Sequence, residues 1–194
     1  MSVKRKNTGL LILLLLVFVT VSAFVLTHQT NRHNRKLKIH GFILPTPKTL
    51  QPFSTTDQNG QPFTQENLHK HWSLLFFGFT NCGFICPTTL SRLNQFMQQL
   101  KAYNISAKKI PTIIMMSVDP ERDTVKKMRQ YLHSFNPSFV GLRAPMAATL
   151  ALQKQFNVVA VKLSAGDHPK QYTINHSADI MLIAPSGKMI ALLN

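Results

Sequence analysis

The sequence predicts an α/β sandwich built on one central sheet. Three observations carry that reading. Short apolar runs with the look of buried strands alternate with segments of helical periodicity, prolines stand at the start of two of those segments, and the chain closes on a strand hairpin. Ahead of the sandwich, the opening residues carry the pattern of one membrane-spanning helix.

Lys4, Arg5 and Lys6 precede an almost unbroken apolar stretch from Leu10 to Leu26, interrupted only by Thr20 and Ser22. Counted from Gly9, it approaches the roughly 20 residues a spanning helix needs and exceeds the apolar core of a secretory signal. A short basic N-terminus (1–8) followed by an uncleaved signal-anchor (9–27) is therefore expected. Cleavage at Val21-Ser22-Ala23 is the alternative. No cysteine comes after the stretch at the position lipid attachment would need, which excludes a lipoprotein. Basic residues on both sides, with Arg32, Arg35, Lys36 and Lys38 beyond it, leave the positive-inside rule without a vote. The short basic start abutting the apolar run nevertheless places the domain beyond it outside the cytoplasm, in a bacterium the periplasm, on the inner (cytoplasmic) membrane. A thiol pair there is oxidised unless a metal or a reductant protects it.

Residues 28–48 are polar, basic and punctuated by Pro45 and Pro47, and read as a linker into one domain over 49–194. Phe53 to Thr55 and Phe63 flank Asp57-Gln58-Asn59-Gly60, a strand and tight hairpin turn, and Thr64 caps a short helix through Leu68. Ser73 to Phe79 is apolar enough for a fully buried strand. From 88 to 103, Leu90, Leu93, Phe96, Met97, Leu100 and Tyr103 recur on one helical face. Pro111 introduces a second buried strand through Val118, and Asp123 or Thr124 caps a helix to about Phe135. Val140 to Leu142 is a short strand, and Pro145 opens a helix to about Phe156. Val158 to Leu163 is a strand, and Asp179 to Ile183 pairs with Lys188 to Leu193 across Pro185-Ser186-Gly187.

The 194 residues hold 22 Lys and Arg against 7 Asp and Glu, with 44% hydrophobic content. That is one domain of ordinary size with enough apolar mass for a core. The positive balance would suit an anionic surface or an acidic partner. No nucleic-acid module or basic-aromatic stripe accompanies it, so nucleic acid is not expected as a partner.

Cys82 and Cys86 are the only cysteines, in Thr80-Asn81-Cys82-Gly83-Phe84-Ile85-Cys86-Pro87. The spacing puts both sulfurs within reach of one metal ion or one disulfide. They lie on a strand-to-helix loop with Cys86 at the helix start, since Pro87 favours the first helical position. Unpaired amides and the helix dipole there are expected to lower the thiol pKa and favour the thiolate.

These residues also carry a resemblance. Phe76-Phe77-Gly78-Phe79-Thr80-Asn81-Cys82 with Cys86-Pro87 resembles the copper-binding loop of the SCO/SenC family. Ser117-Val118-Asp119-Pro120-Glu121-Arg122-Asp123-Thr124 is similar to that family's second signature. Asn175-His176-Ser177-Ala178-Asp179, followed by Pro185-Ser186-Gly187-Lys188, is similar to its third. The resemblance runs from about Phe53 to Lys188. It implies a thioredoxin-like sandwich with a central mixed sheet, membrane-anchored and linked to copper delivery to cytochrome c oxidase. The implied ligands are Cys82, Cys86 and His176, with Asp119 near the metal as an orienting group. Two thiolates and an imidazole suit Cu(I), and the set also holds Cu(II) with one further oxygen ligand, whereas structural zinc would want a fourth protein ligand.

The family loop commonly carries His, Pro and Asp where this chain has Asn81, Gly83 and Phe84, which alters the loop's charge without touching ligand identity. Related proteins usually continue into a further helix beyond the position of Asn194, so one sheet face is expected to be less covered here. His69 and His71 read as a solvated loop pair, and Met115 and Met116 as core packing, one facing each way. The function implied is a metallochaperone that delivers copper to the copper-site subunit of cytochrome c oxidase or another periplasmic cuproprotein, itself supplied by a copper donor protein. The alternatives are a thiol–disulfide oxidoreductase using Cys82 and Cys86, or a copper or redox sensor.

Overall fold

The structure is a computed structural model that describes residues 4–33, 40–164 and 171–193. They fall into two units, the second starting at His40. In the first, Lys4–His33 forms one helix, α1. Its described side chains run from Leu11 to Phe24, almost all of them exposed. Among the described residues no helix is long and apolar enough to cross a membrane. The expected anchor over 9–27 extends past those side chains, and positions 34–39 of the expected linker lie outside the described residues.

The second unit runs through strands β1 (Gly41–Lys48), β2 (Ser54–Asp57), β3 (Pro62–Thr64), β4 (Ser73–Gly78), β5 (Thr112–Ser117), β6 (Val140–Arg143), β7 (Ala160–Ser164), β8 (Tyr172–His176), β9 (Ile180–Ile183) and β10 (Met189–Leu193). Its helices are α2 (Ile85–Ala102), α3 (Val125–His133) and α4 (Met146–Phe156), with short 3-10 turns at Gln65–Leu68 and Ala107–Lys109. Eight strands form one mixed sheet in the order β1-β10-β9-β4-β5-β6-β2-β3, and β7 and β8 form a separate two-stranded ribbon. β4, β5 and β6 are parallel neighbours. Parallel strands need long crossovers, and α2 and α3 supply them.

β4 is buried along its whole length, which is why it reads as an unbroken apolar run rather than an alternating one. Its side chains still alternate between two cores. Leu74 and Phe76 pack with Leu90, Leu93 and Met97 of α2 and with Met128 and Leu132 of α3. Leu75 and Phe77 pack on the opposite face with Leu152 and Phe156 of α4, the Phe77 and Phe156 rings 5.6 Å apart. Met115 belongs to the first core and Met116 to the second, both buried packing residues as expected. Thr124, not Asp123, caps α3, its Oγ1 accepting the Lys127 N–H.

Two strands depart from the sequence reading. The C-terminal part of the expected linker is β1, paired antiparallel with β10. Pro45 and Pro47 are tolerated because β1 is an edge strand, whose outer side needs no donor, and the register shifts between Ile43 and Lys48. β8 has no counterpart in the sequence pattern, and it makes His176 the last residue of a strand, not part of a loop. His69 bridges to Ser186, and a Cβ at Gly187 (φ +74°) would collide with the His69 imidazole. That histidine therefore packs on the β9–β10 turn. Among the described residues neither His69 nor His71 belongs to a metal-ligating cluster.

Candidate metal centre

The parallel register of β4 and β5 sets Gly78 beside Ser117, so the chain leaves both strands at the same edge of the sheet. β4 leads into the cysteine loop and α2, and β5 leads into the turn before α3. β9 runs antiparallel to β4 with Ile180 opposite Phe76, which brings the residues before β9 back to that edge. Cysteines and histidine, far apart in sequence, meet there.

The Cys82 and Cys86 sulfurs and a ring nitrogen of His176 lie within 4.8 Å of one another, the only such group of potential metal ligands among the described residues. Cys86 Sγ stands 3.4 Å from His176 Nε2, and the Cys86 N–H donates to Cys82 Sγ at 3.3 Å. Cys86 is fully buried, while Cys82 and His176 are half-buried. One ion holding three such donors at about 2.0–2.3 Å would set them at most about 4.5 Å apart. The three side chains fit one ion with small movements.

The imidazole is already oriented. His176 Nδ1 lies 2.9 Å from the Ser177 carbonyl oxygen, which can only accept, so the Nδ1 proton sits there and Nε2 keeps its lone pair toward Cys86. Burial pushes the His176 pKa down, only partly offset by that hydrogen bond, so the ring is neutral at pH 7. The Phe79 ring meets it edge-on at 5.8 Å.

The expected lowering of the Cys86 thiol pKa is overturned. Cys86 does sit in the first turn of α2, but burial pushes its pKa far up, and the contact with Cys82 adds to the rise. Desolvation outweighs the helix start. The buried thiol of the metal-free protein is a poor nucleophile, and a bound cation is the partner that would stabilise its thiolate.

Gly78 leaves room for that sulfur. An ideal Cβ there would lie 3.0 Å from Cys86 Sγ and 3.3 Å from Met115 Sδ. Gly78→Ala is expected to displace the thiol and to destabilise the domain by about 1 kcal/mol. A lower urea midpoint together with an altered Cys86 alkylation rate would show it, and unchanged values for both would refute it.

Asp119 is buried at the same edge, yet its hydrogen bonds reach none of the three candidate ligands. Its Oδ2 pairs with Arg122 Nε at 2.5 Å and its Oδ1 accepts the Tyr172 hydroxyl at 2.6 Å. The direct contact with the imidazole is the Ser177 carbonyl. The residue that the sequence reading missed is Asp123. Fully buried, it accepts from Thr80 N at 3.1 Å, Thr80 Oγ1 at 2.5 Å and Ser117 Oγ at 2.6 Å, fastening the strand end that leads to Cys82. A signal existed: Asp119, Glu121 and Asp123 place three of the chain's 7 acidic residues in one turn. On the loop between the candidate ligands two apolar side chains face solvent, Phe84 76% and Ile85 37% exposed.

The family model for SCO1/SenC matches residues 44–194 of the chain. An SCO2-like protein of Rickettsia prowazekii is 32% identical over 163 residues, covering 84% of this chain and 73% of that protein. Among solved structures, copper-bound ScoI of Bradyrhizobium japonicum is 34% identical with a TM-score of 0.65, covering 75% of this chain and 89% of that one. Copper-bound yeast Sco1 is 29% identical with a TM-score of 0.68, covering 76% and 80%.

Proposed function

Because the chain belongs to the SCO1/SenC family, we propose that it is a copper-binding metallochaperone, with Cys82, Cys86 and His176 as the ligands of its cargo. The observation that carries this reading is the convergence of two thiols and one neutral imidazole at a half-buried sheet edge. Thiolates select soft ions and imidazole serves copper in either oxidation state. Two similar solved structures, both with copper bound, support the same cargo. Three protein donors leave the ion open to an incoming ligand, so transfer proceeds by stepwise exchange with no turnover of the protein.

The recipient we propose is the copper site of cytochrome c oxidase or another cuproprotein outside the cytoplasm, and the source a copper donor protein. The basic start and the apolar run over 9–27 support tethering to a bacterial cytoplasmic membrane, with the domain in the periplasm. One observation favours a second reading, a thiol–disulfide oxidoreductase: half-exposed Cys82 receives the Cys86 N–H, as an attacking sulfur would.

An anaerobic Cu(I) titration against a competing chelator decides between them. One tightly held ion per chain is expected, with His176→Ala weakening it by about 100-fold, near 2.7 kcal/mol. Binding that ignores His176→Ala would leave only a dithiol and transfer the assignment to the oxidoreductase.

A further inference from the structure

Two arms meet at the metal centre, the cysteine loop after β4 and the histidine at the end of β8, and both are fastened to the same short turn. On the cysteine side, Asp123 accepts from the amide and hydroxyl of Thr80, two residues before Cys82. On the histidine side, Asp119 accepts from the Tyr172 hydroxyl and pairs with Arg122. Arg122 in turn donates to the Tyr172 carbonyl at 2.9 Å and lies with its guanidinium 3.5 Å from the Tyr172 ring centroid. Tyr172 and His176 stand four residues apart in β8, on the same face of the strand. Fixing the first therefore fixes where the second points. Ser117 links the two anchors, accepting the Asp119 N–H through its Oγ at 3.0 Å while donating to Asp123.

We propose that the turn from Ser117 to Asp123 sets the cysteine-to-histidine spacing of the metal centre, with Asp123 positioning the cysteines through Thr80 and Asp119 positioning His176 through Tyr172 and Arg122. None of these residues is a ligand; each acts through another. β8 pairs with β7 alone, in a ribbon outside the main sheet. The clamp on Tyr172 ties that ribbon to the turn after β5. The inference deepens the copper reading and rests on it for its metal-binding consequence.

The experiment uses the full chain with Tyr172→Phe, which deletes one hydroxyl and keeps the ring, and Thr80→Val, which deletes the other. Each is made alone and combined with His176→Ala. Cu(I) affinity is read by competition, and the His176 ring signal by NMR of the metal-free protein. Tyr172→Phe is expected to weaken Cu(I) by about 10- to 100-fold, the range usual for residues that hold a ligand in place. When His176 is already alanine the same change should matter by less than about twofold. Thr80→Val should weaken binding in both backgrounds and leave the His176 ring signal where it was. Equal losses from Tyr172→Phe in both backgrounds, or an unmoved ring signal in that variant, would overturn the proposal. If Tyr172→Phe loses its native circular dichroism, Asp119→Asn is read by the same criteria. A native chain that holds no Cu(I) would sink the copper reading alone, since the metal-free ring signal still decides the clamp.

Discussion

Replacing Cys86 by serine is expected to abolish tight Cu(I) binding and dithiol chemistry together. Its sulfur occupies the middle of the centre, 3.4 Å from His176 Nε2, with its own backbone N–H bound to Cys82 Sγ. A serine oxygen is a hard donor that a soft ion refuses. The loss in affinity should be on the order of 1000-fold, about 4 kcal/mol. Position 86 is fully buried, so taking a hydroxyl out of water there, with the His176 Nε2 lone pair as its acceptor, adds a stability cost of about 1 kcal/mol. Cys82→Ser should cost less stability, because Cys82 is half-exposed and its replacement stays hydrated. Chelator competition and urea unfolding on the two variants check both statements. Wild-type affinity in Cys86→Ser would mean that the metal sits elsewhere.

Asp123→Ala is expected to be the most destabilising single change at this edge. It strips the acceptor from the Thr80 amide, the Thr80 hydroxyl and the Ser117 hydroxyl at one stroke. Each stranded donor costs about 1–3 kcal/mol, and a total of about 3–5 kcal/mol is reasonable once relaxation of the half-buried Thr80 is allowed for. Asp123→Asn keeps an acceptor oxygen and should cost clearly less. The contrast matters because burial already raises the Asp123 pKa, so the carboxylate tolerates its position only through these three donors. Urea midpoints of the two variants give the comparison. Equal midpoints would show that the hydrogen bonds are not what holds the loop.

Elements are legible in the sequence where local pattern and tertiary context agree. β4, α2, β5 and α4 announce themselves because each buries a long apolar run or face, and the Cys82–Cys86 loop is visible as a fixed spacing after the first of them. β1 is hidden by Pro45 and Pro47, which are strand breakers everywhere except at an edge. β8 is hidden because its partner β7 lies outside the main sheet and its exposed residues carry no apolar run. The Cys86 pKa runs opposite to expectation because a helix start is local, whereas desolvation depends on which elements close over the sulfur. Asp123 looks like a cap. Its actual partner, Thr80, is 43 residues away, and no local pattern reports that.

The separation of 90 positions from Cys86 to His176 has a consequence for the order in which the centre comes into being. A growing chain presents its two thiols early, once β4 and α2 exist, and the imidazole only after β5, β6, α4 and the ribbon have been made. Until then the chain is a dithiol without its third donor, and contacts of such long range are the last to be rewarded in folding. With the proposed ligand set, full-strength capture of the ion would be reserved for a domain that has finished folding. Incomplete or misassembled copies would have only a weaker grip on the metal, and the proposed ligand set would double as a checkpoint on its own scaffold.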